Sequence, residues 1–226
     1  MPHPLEKMHK FFFDWFEDKR KEDGLYYSVR KINKNEMLSQ GCIFLGTDYI
    51  AVPLVNHSDE RNRTASVQFV YGGVDNSYSV EVVSRNLAVQ KYKNSVEEKE
   101  FCEKTVAFIE LMHEYAENNG GRDLTPDESD MFFSNDIEPE DIDAPLFVAH
   151  QSFHRPKKNE YQAKLFFNER TPEVALKNFY AFWKEHGIPY WSNYFSNPTD
   201  TIRRINKSLE RIDHSVAQCN WPLEVD

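Results

Sequence analysis

The segment between residues 41 and 85 constrains the fold of this chain more than any other stretch. It contains runs rich in β-branched and aromatic residues, separated by glycine and polar turn residues. The runs are Gly41–Leu45, Asp48–Val55, Thr64–Tyr71 and Tyr78–Val83. This pattern is typical of an antiparallel β meander. Pro53 interrupts the second run, and because proline cannot donate to a sheet ladder, it predicts an edge strand or a bulge there.

Long helices are predicted where apolar residues recur at helical spacing. The strongest signal covers Ser95–Asn118, and Gly120 follows it. Further helices are expected to begin near Pro4, Thr171 and Asn197. The helix after Thr171 is expected to end at Gly187, because glycine and a nearby proline commonly end helices.

Two more strands are predicted at Pro145–Phe153 and Glu160–Phe167. Together the elements predict an α+β fold, a mostly antiparallel sheet of five to seven strands packed against three long helices. A chain of 226 residues is long enough to bury a large core. We expect residues 1–226 to form a single α+β domain.

The net charge of −10 is concentrated in one part of the chain. Residues 96–143 contain 16 acidic and 3 basic residues. Their second half, residues 122–143, is predicted to be an acidic surface connector, because it has few aliphatic residues and many like charges. An alternative to one undivided domain is a pair of similar lobes, residues 1–121 and 144–226, joined by this connector.

No specific catalytic or cofactor signature is present in the sequence. It has no Gly-x-Ser-x-Gly elbow, no glycine-rich phosphate loop, and no Cys-x-x-Cys or His-Glu-x-x-His metal motif. We therefore predict no cofactor and no metal site. The absence of a run of 18 apolar residues predicts no membrane partner. Three widely spaced cysteines, Cys42, Cys102 and Cys219, favour a reducing, cytoplasmic location.

The first functional hypothesis is a soluble, non-enzymatic interaction module that binds a protein or another macromolecular partner. It comes first because the catalytic patterns fail. Aromatic residues make up 14% of the chain, which favours a dense aromatic core, a binding surface, or both.

A second hypothesis is a phosphoesterase that uses two histidines. Short similar stretches surround His57 and His150, and a basic hairpin tip follows each. Enzymes of this kind carry two His-x-Ser/Thr motifs, in which one imidazole acts as general base and the other as general acid. His150 and Ser152 fit the motif, whereas Asp59 stands where the first motif requires a hydroxyl.

A third hypothesis is a nucleic-acid-binding module. Basic residues occur on both predicted hairpin tips and on one face of the last predicted helix, where they would contact phosphates if these elements shared a side. The candidate residues are Arg61, Arg63, Arg155, Lys157, Lys158, Arg204, Lys207 and Arg211.

Overall fold

In the part of the chain that the structure describes, eight strands form one sheet in the order β1-β2-β3-β4-β5-β8-β7-β6. They are β1 (Ser39–Gln40), β2 (Ile43–Leu45), β3 (Tyr49–Asn56), β4 (Ala65–Gly72), β5 (Ser77–Arg85), β6 (Arg122–Asp123), β7 (Leu146–Arg155) and β8 (Lys158–Phe167). Neighbouring strands run antiparallel except β6 and β7, which are parallel. The predicted meander is confirmed, and its last strand pairs with β8.

A computed structural model describes residues 4–25, 27, 39–40, 43–56, 65–85, 96–155 and 158–195. For several strand and helix residues that border the gaps it describes the backbone alone. The helix predicted after Asn197 lies outside the described residues.

The described helices are α1 (Glu6–Asp23), α2 (Val96–Asn118), α3 (Pro126–Phe133), α4 (Pro172–Phe182) and α5 (Ile188–Trp191). Helices α1, α2 and α4 bury their apolar faces against one face of the sheet, so the predicted α+β class is confirmed. Phe108 of α2 and Phe179 of α4 are both fully buried there. We call this side of the sheet the helix face.

Along β5, side chains point alternately to the two faces of the sheet. Tyr78, Val80 and Val82 point into the core on the helix face, because successive side chains of a strand point in opposite directions. Ser77, Ser79 and Glu81 therefore point to the other face, which we call the open face.

A bulge accommodates Pro53 in β3. The pairing of β3 with β4 shifts register between Pro53 and Val55. The bulge, one of the two alternatives that the proline predicted, is therefore present, while the pairing of β3 with β2 among the described residues covers Ile50 and Ala51.

The acidic connector, residues 122–143, lies on the surface as predicted and also builds a small second core on the open face. It contains β6, α3 and a 3₁₀ turn. Leu124, Phe132 and Ile142 are buried in a cluster with Phe147 and Phe166 of the sheet. The apolar minority of an acidic segment thus anchors it on the sheet, while most of its carboxylates face solvent.

Helix α3 begins at a capping box. The Thr125 hydroxyl accepts a hydrogen bond from the Glu128 backbone N–H, and the Glu128 carboxylate accepts one from the Thr125 N–H at 2.8 Å. Arg122 donates two hydrogen bonds to the same carboxylate, at 2.9 and 2.8 Å. The Arg122 guanidinium and these bonds lower the pKa of Glu128 to about 2.

The expected helix end at Gly187 is wrong. A π-helical turn, Trp183–Gly187, follows α4, and the backbone continues helically into α5. Gly187 keeps right-handed helical angles, and a Cβ atom there would clash with the Trp183 ring. The glycine therefore allows close packing on Trp183. Pro189 is tolerated because it lies in the first turn of α5.

The relation between the two proposed lobes stays a prediction. Strand β5 of the first half pairs with β8 of the second from Tyr78–Phe167 to Arg85–Glu160. Both halves therefore contribute to one sheet.

Candidate functional site

Of the predicted catalytic residues, His150 is the one whose side chain the structure describes. His57 lies outside the described residues, and Ser152 is described by its backbone in β7 alone. The predicted pairing of His57 with His150 therefore stays a prediction.

The predicted nucleic-acid-binding residues also stay untested. Arg155 and Lys158 lie at the facing ends of β7 and β8, where their backbones pair, and their side chains are not described. The others lie outside the described residues: Arg61, Arg63, Lys157, Arg204, Lys207 and Arg211.

A first candidate site is a group of three side chains that we call the histidine cluster, His113, Asp123 and His150. The imidazole rings of His113 and His150 stack with centroids 4.9 Å apart and an interplanar angle of 14°. Nδ1 of His113 lies 2.6 Å from Oδ2 of Asp123. One potential metal-ligand atom from each residue lies within 4.8 Å of the other two. These residues could hold a metal ion, and the expectation of no metal site stays a prediction.

The fold explains why residues so far apart in the sequence meet. Helix α2 ends in a turn at Gly120, where φ is +77°, and the chain reverses into β6. The pairing of Asp123 with Val148 then sets β6 alongside β7, two residues from His150. The cluster lies where α2, β6 and β7 come together.

Electrostatics within the cluster favour a neutral His150. Burial lowers the pKa of its imidazole, and the neighbouring His113 lowers it further, whereas Asp123 and Glu110 act in the opposite direction. The Asp123 side chain is 41% exposed, so the cluster is open to solvent on one side.

A second candidate site is a cavity of about 410 Å³ on the open face, which we call the sheet-face cleft. Strands β4, β5 and β8 form its floor, and α3 with the residues after it forms one wall. This volume lies within the usual range for binding pockets in proteins.

A row of polar side chains crosses the cleft floor. Gln68, Glu81 and Lys164 are direct cross-strand neighbours on β4, β5 and β8. Nε2 of Gln68 donates to the Glu81 carboxylate at 2.7 Å, and Nζ of Lys164 lies 3.0 Å from its other oxygen. The Glu81 side chain is only 7% exposed. Charged residues this buried are usually paired, as this one is.

Aromatic rings line the wall beside this row. Phe132 and Phe166 are buried with ring centroids 4.9 Å apart, and Phe133 is half-buried next to them. The Lys164 ammonium lies 5.6 Å from the Phe133 ring centroid, within reach of a cation–π interaction. The cleft therefore already holds one cation, between a carboxylate and an aromatic face.

Neither site was found from the sequence. The polar alternation of Ser77, Ser79 and Glu81 was a usable signal for a polar sheet face, but only the position of α3 turns that face into a cleft. For the histidine cluster, no local spacing links His113 or Asp123 to His150. These residues meet because the chain reverses after α2 and because β6 pairs with β7.

No protein-family model matches the chain, and comparisons with curated protein sequences and with solved structures likewise find no match. No family is therefore shown, and the geometry of the two sites is the evidence on function. Among the described helices, none is both long enough and apolar enough to cross a membrane.

Proposed function

We propose that the protein is a non-enzymatic interaction module whose sheet-face cleft binds a basic segment of a partner protein. The observation that carries this proposal is the position of the acidic connector, which forms one wall of a cleft with a buried carboxylate in its floor. A cytoplasmic location is part of the proposal and rests on the cysteine content of the chain.

The charge around the cleft favours a cationic ligand. The acidic connector contains nine acidic side chains and one basic one, but it lines the cleft with uncharged side chains, so its carboxylates act on the cleft only at longer range. Among the described residues that line the cleft, three carry carboxylates, Asp48, Asp75 and Glu81, and one carries an ammonium, Lys164. Such an excess of negative potential accelerates the association of positively charged partners and excludes acidic ones.

The chemistry of the cleft also suits lysine and arginine side chains. Their apolar stems can pack on aromatic rings while the charged head reaches a carboxylate. The Lys164 side chain already makes both contacts, to Phe133 and Glu81. A partner cation would pair with Asp48, which is exposed, or with half-buried Asp75.

The proposal is tested by fluorescence anisotropy with short labelled peptides that differ only in charge. A Lys/Arg-rich peptide should bind, with an affinity that falls as salt rises, and the matched Glu-rich peptide should not. Asp48→Lys should weaken binding about tenfold. Glu103→Lys makes the same charge change at an exposed position of α2, on the opposite side of the sheet from the cleft. It should leave the affinity within about twofold of the wild-type value.

Equal losses in the two variants would show that binding follows net charge and not the cleft. Lack of binding by basic peptides, with binding of a single-stranded oligonucleotide instead, would favour the nucleic-acid hypothesis over the proposal.

A second candidate function is the two-histidine phosphoesterase. One observation favours it: His150 is half-buried, and burial lowers the pKa of its imidazole, which favours the neutral form that a general base needs. In that case the chain should hydrolyse a linear or cyclic phosphodiester without added metal. The single variants His57→Ala and His150→Ala should each abolish this activity. No hydrolysis by the wild-type chain would eliminate this candidate.

A further inference from the structure

We infer that the histidine cluster is a binding site for a divalent first-row transition-metal ion, with Zn²⁺ as its representative. His113, Asp123 and His150 offer two imidazole nitrogens and one carboxylate oxygen, which are common donors for these ions. The site goes beyond the proposed function, since the cluster lies at α2 and the cleft lies on the open face.

The spacing of the donors fits one ion. The three ligand atoms lie within 4.8 Å of one another. With bonds of about 2.1 Å, two tetrahedral ligands of the same ion lie about 3.4 Å apart. The most distant ligand atoms therefore have to approach by at most about 1.4 Å, whereas Nδ1 of His113 and Oδ2 of Asp123, now 2.6 Å apart, have to separate by about 0.8 Å.

The charge of the cluster also favours a divalent cation. With neutral imidazoles, Asp123 contributes one negative charge, and Glu110 lies one helical turn before His113 and acts electrostatically on His150. A divalent ion would offset both carboxylates. The exposed Asp123 edge gives the ion a route from solvent.

The hydrogen bond between His113 and Asp123 marks where the ion would enter. Their 2.6 Å contact shows that the imidazole nitrogen and the carboxylate oxygen point to one place. Binding would release any proton bound at the ligand atoms to solvent, as metal binding generally does. Three protein ligands leave a fourth tetrahedral position for water.

A bound ion would tie together three elements that are distant in the sequence. His113 lies on α2, Asp123 in β6 and His150 on β7. Because the unfolded chain does not hold these donors together, Zn²⁺ at about 100 times its Kd should raise the Tm by about 5–10 °C.

The test is titration of the EDTA-treated, dialysed full chain with Zn²⁺ by calorimetry and with Co²⁺ by visible absorption. The inference predicts one ion per chain and ligand-field bands of low-symmetry Co²⁺. His113→Ala, Asp123→Asn and His150→Ala should each weaken Zn²⁺ binding more than about 100-fold, since loss of an outer-shell partner alone costs 10–100-fold. The control His186→Gln removes a histidine outside the cluster and should leave the affinity unchanged.

A measurement on the wild-type chain covers the case in which a variant fails to fold. Sub-stoichiometric Zn²⁺ should shift the imidazole ¹⁵N resonances of His113 and His150 before those of His186. Absence of stoichiometric binding, binding that survives all three substitutions, or equal loss in His186→Gln would each overturn the inference.

Discussion

Substitution of Phe108 by alanine is the sharpest perturbation of the core that the structure offers. The Phe108 side chain is completely buried in the middle of α2. Its ring contacts rings on two sides, with centroid distances of 5.3 Å to Tyr190 and 5.5 Å to Trp191, and 6.0 Å to Phe182 and 6.1 Å to Trp183. One truncation therefore loses contacts to both α4 and the segment that follows it.

The expected cost follows from the size of the lost side chain and from these contacts. Buried Phe→Ala substitutions typically cost about 3–5 kcal/mol, because burial energy is lost and a cavity remains. Aromatic pairs add about 0.5–1.5 kcal/mol beyond area alone, which places Phe108→Ala near the upper end, at about 4–5 kcal/mol. For a chain of this length the corresponding fall in Tm is about 8–20 °C.

The assay is equilibrium urea unfolding followed by tryptophan fluorescence and far-UV circular dichroism. Val106, 49% exposed on the opposite side of the same helix, supplies the control. Val106→Ala should change the free energy of unfolding by no more than about 0.5 kcal/mol. A loss below about 1 kcal/mol for Phe108→Ala, with an unchanged m-value, would refute the packing of α2 described above.

Three further predictions concern the connector and α1. Thr125→Ala removes the capping box of α3 and should lower the free energy of unfolding by about 1 kcal/mol in urea denaturation, whereas no change would contradict the cap. Because Arg122 lowers the pKa of Glu128 to about 2, the stabilisation from this carboxylate should be complete above the ordinary carboxyl pKa. This stabilisation should be lost as the pH falls towards 2. A ¹³C titration of the Glu128 carboxyl with a midpoint near 4.5 would contradict the prediction. Burial and the hydrogen bond to Asp23 raise the pKa of Tyr180 to about 12, so its contribution should be complete below pH 10 and lost as the pH rises through 12. Asp23→Asn should move the ultraviolet titration of Tyr180 to lower pH, and an unchanged curve would contradict the contact.

The strands were predictable because their signals are local. The runs around Val52, Phe69 and Val80 contain strand-forming residues at their buried positions, and turn residues mark where each run begins and ends. Apolar spacing along α2 identified its buried face in the same way. Both features depend on residues within about ten positions of each other.

The helical region around Gly187 shows where local signals fail. Glycine followed by proline predicts a helix end, but the Trp183 ring packs so closely on residue 187 that only glycine fits. The tertiary contact, and not the conformational freedom of glycine, accounts for this residue. Pro189 then falls where its missing N–H costs little.

The two candidate sites depend on tertiary placement more than the strands and helices do. His150 was selected from a short internal similarity, while its described neighbour His113 lies on a helix whose pattern shows only its apolar face. Glu81 alternates with core residues along β5, and this alternation alone does not show that its carboxylate is buried. It is buried because α3 lies across that face of the sheet and because Lys164 is its cross-strand neighbour.

The central proposal, that the sheet-face cleft binds a basic segment, is tested most directly by ¹H–¹⁵N NMR during titration with the Lys/Arg-rich peptide. The largest shift changes should fall on the cleft floor, at the amides of Gln68, Ser79 and Lys164, and on Phe133 in the wall. The amides near His113 on the other side of the sheet should remain unchanged. Shift changes centred on α2, or spread evenly over the acidic surface with none at the cleft floor, would contradict the proposal.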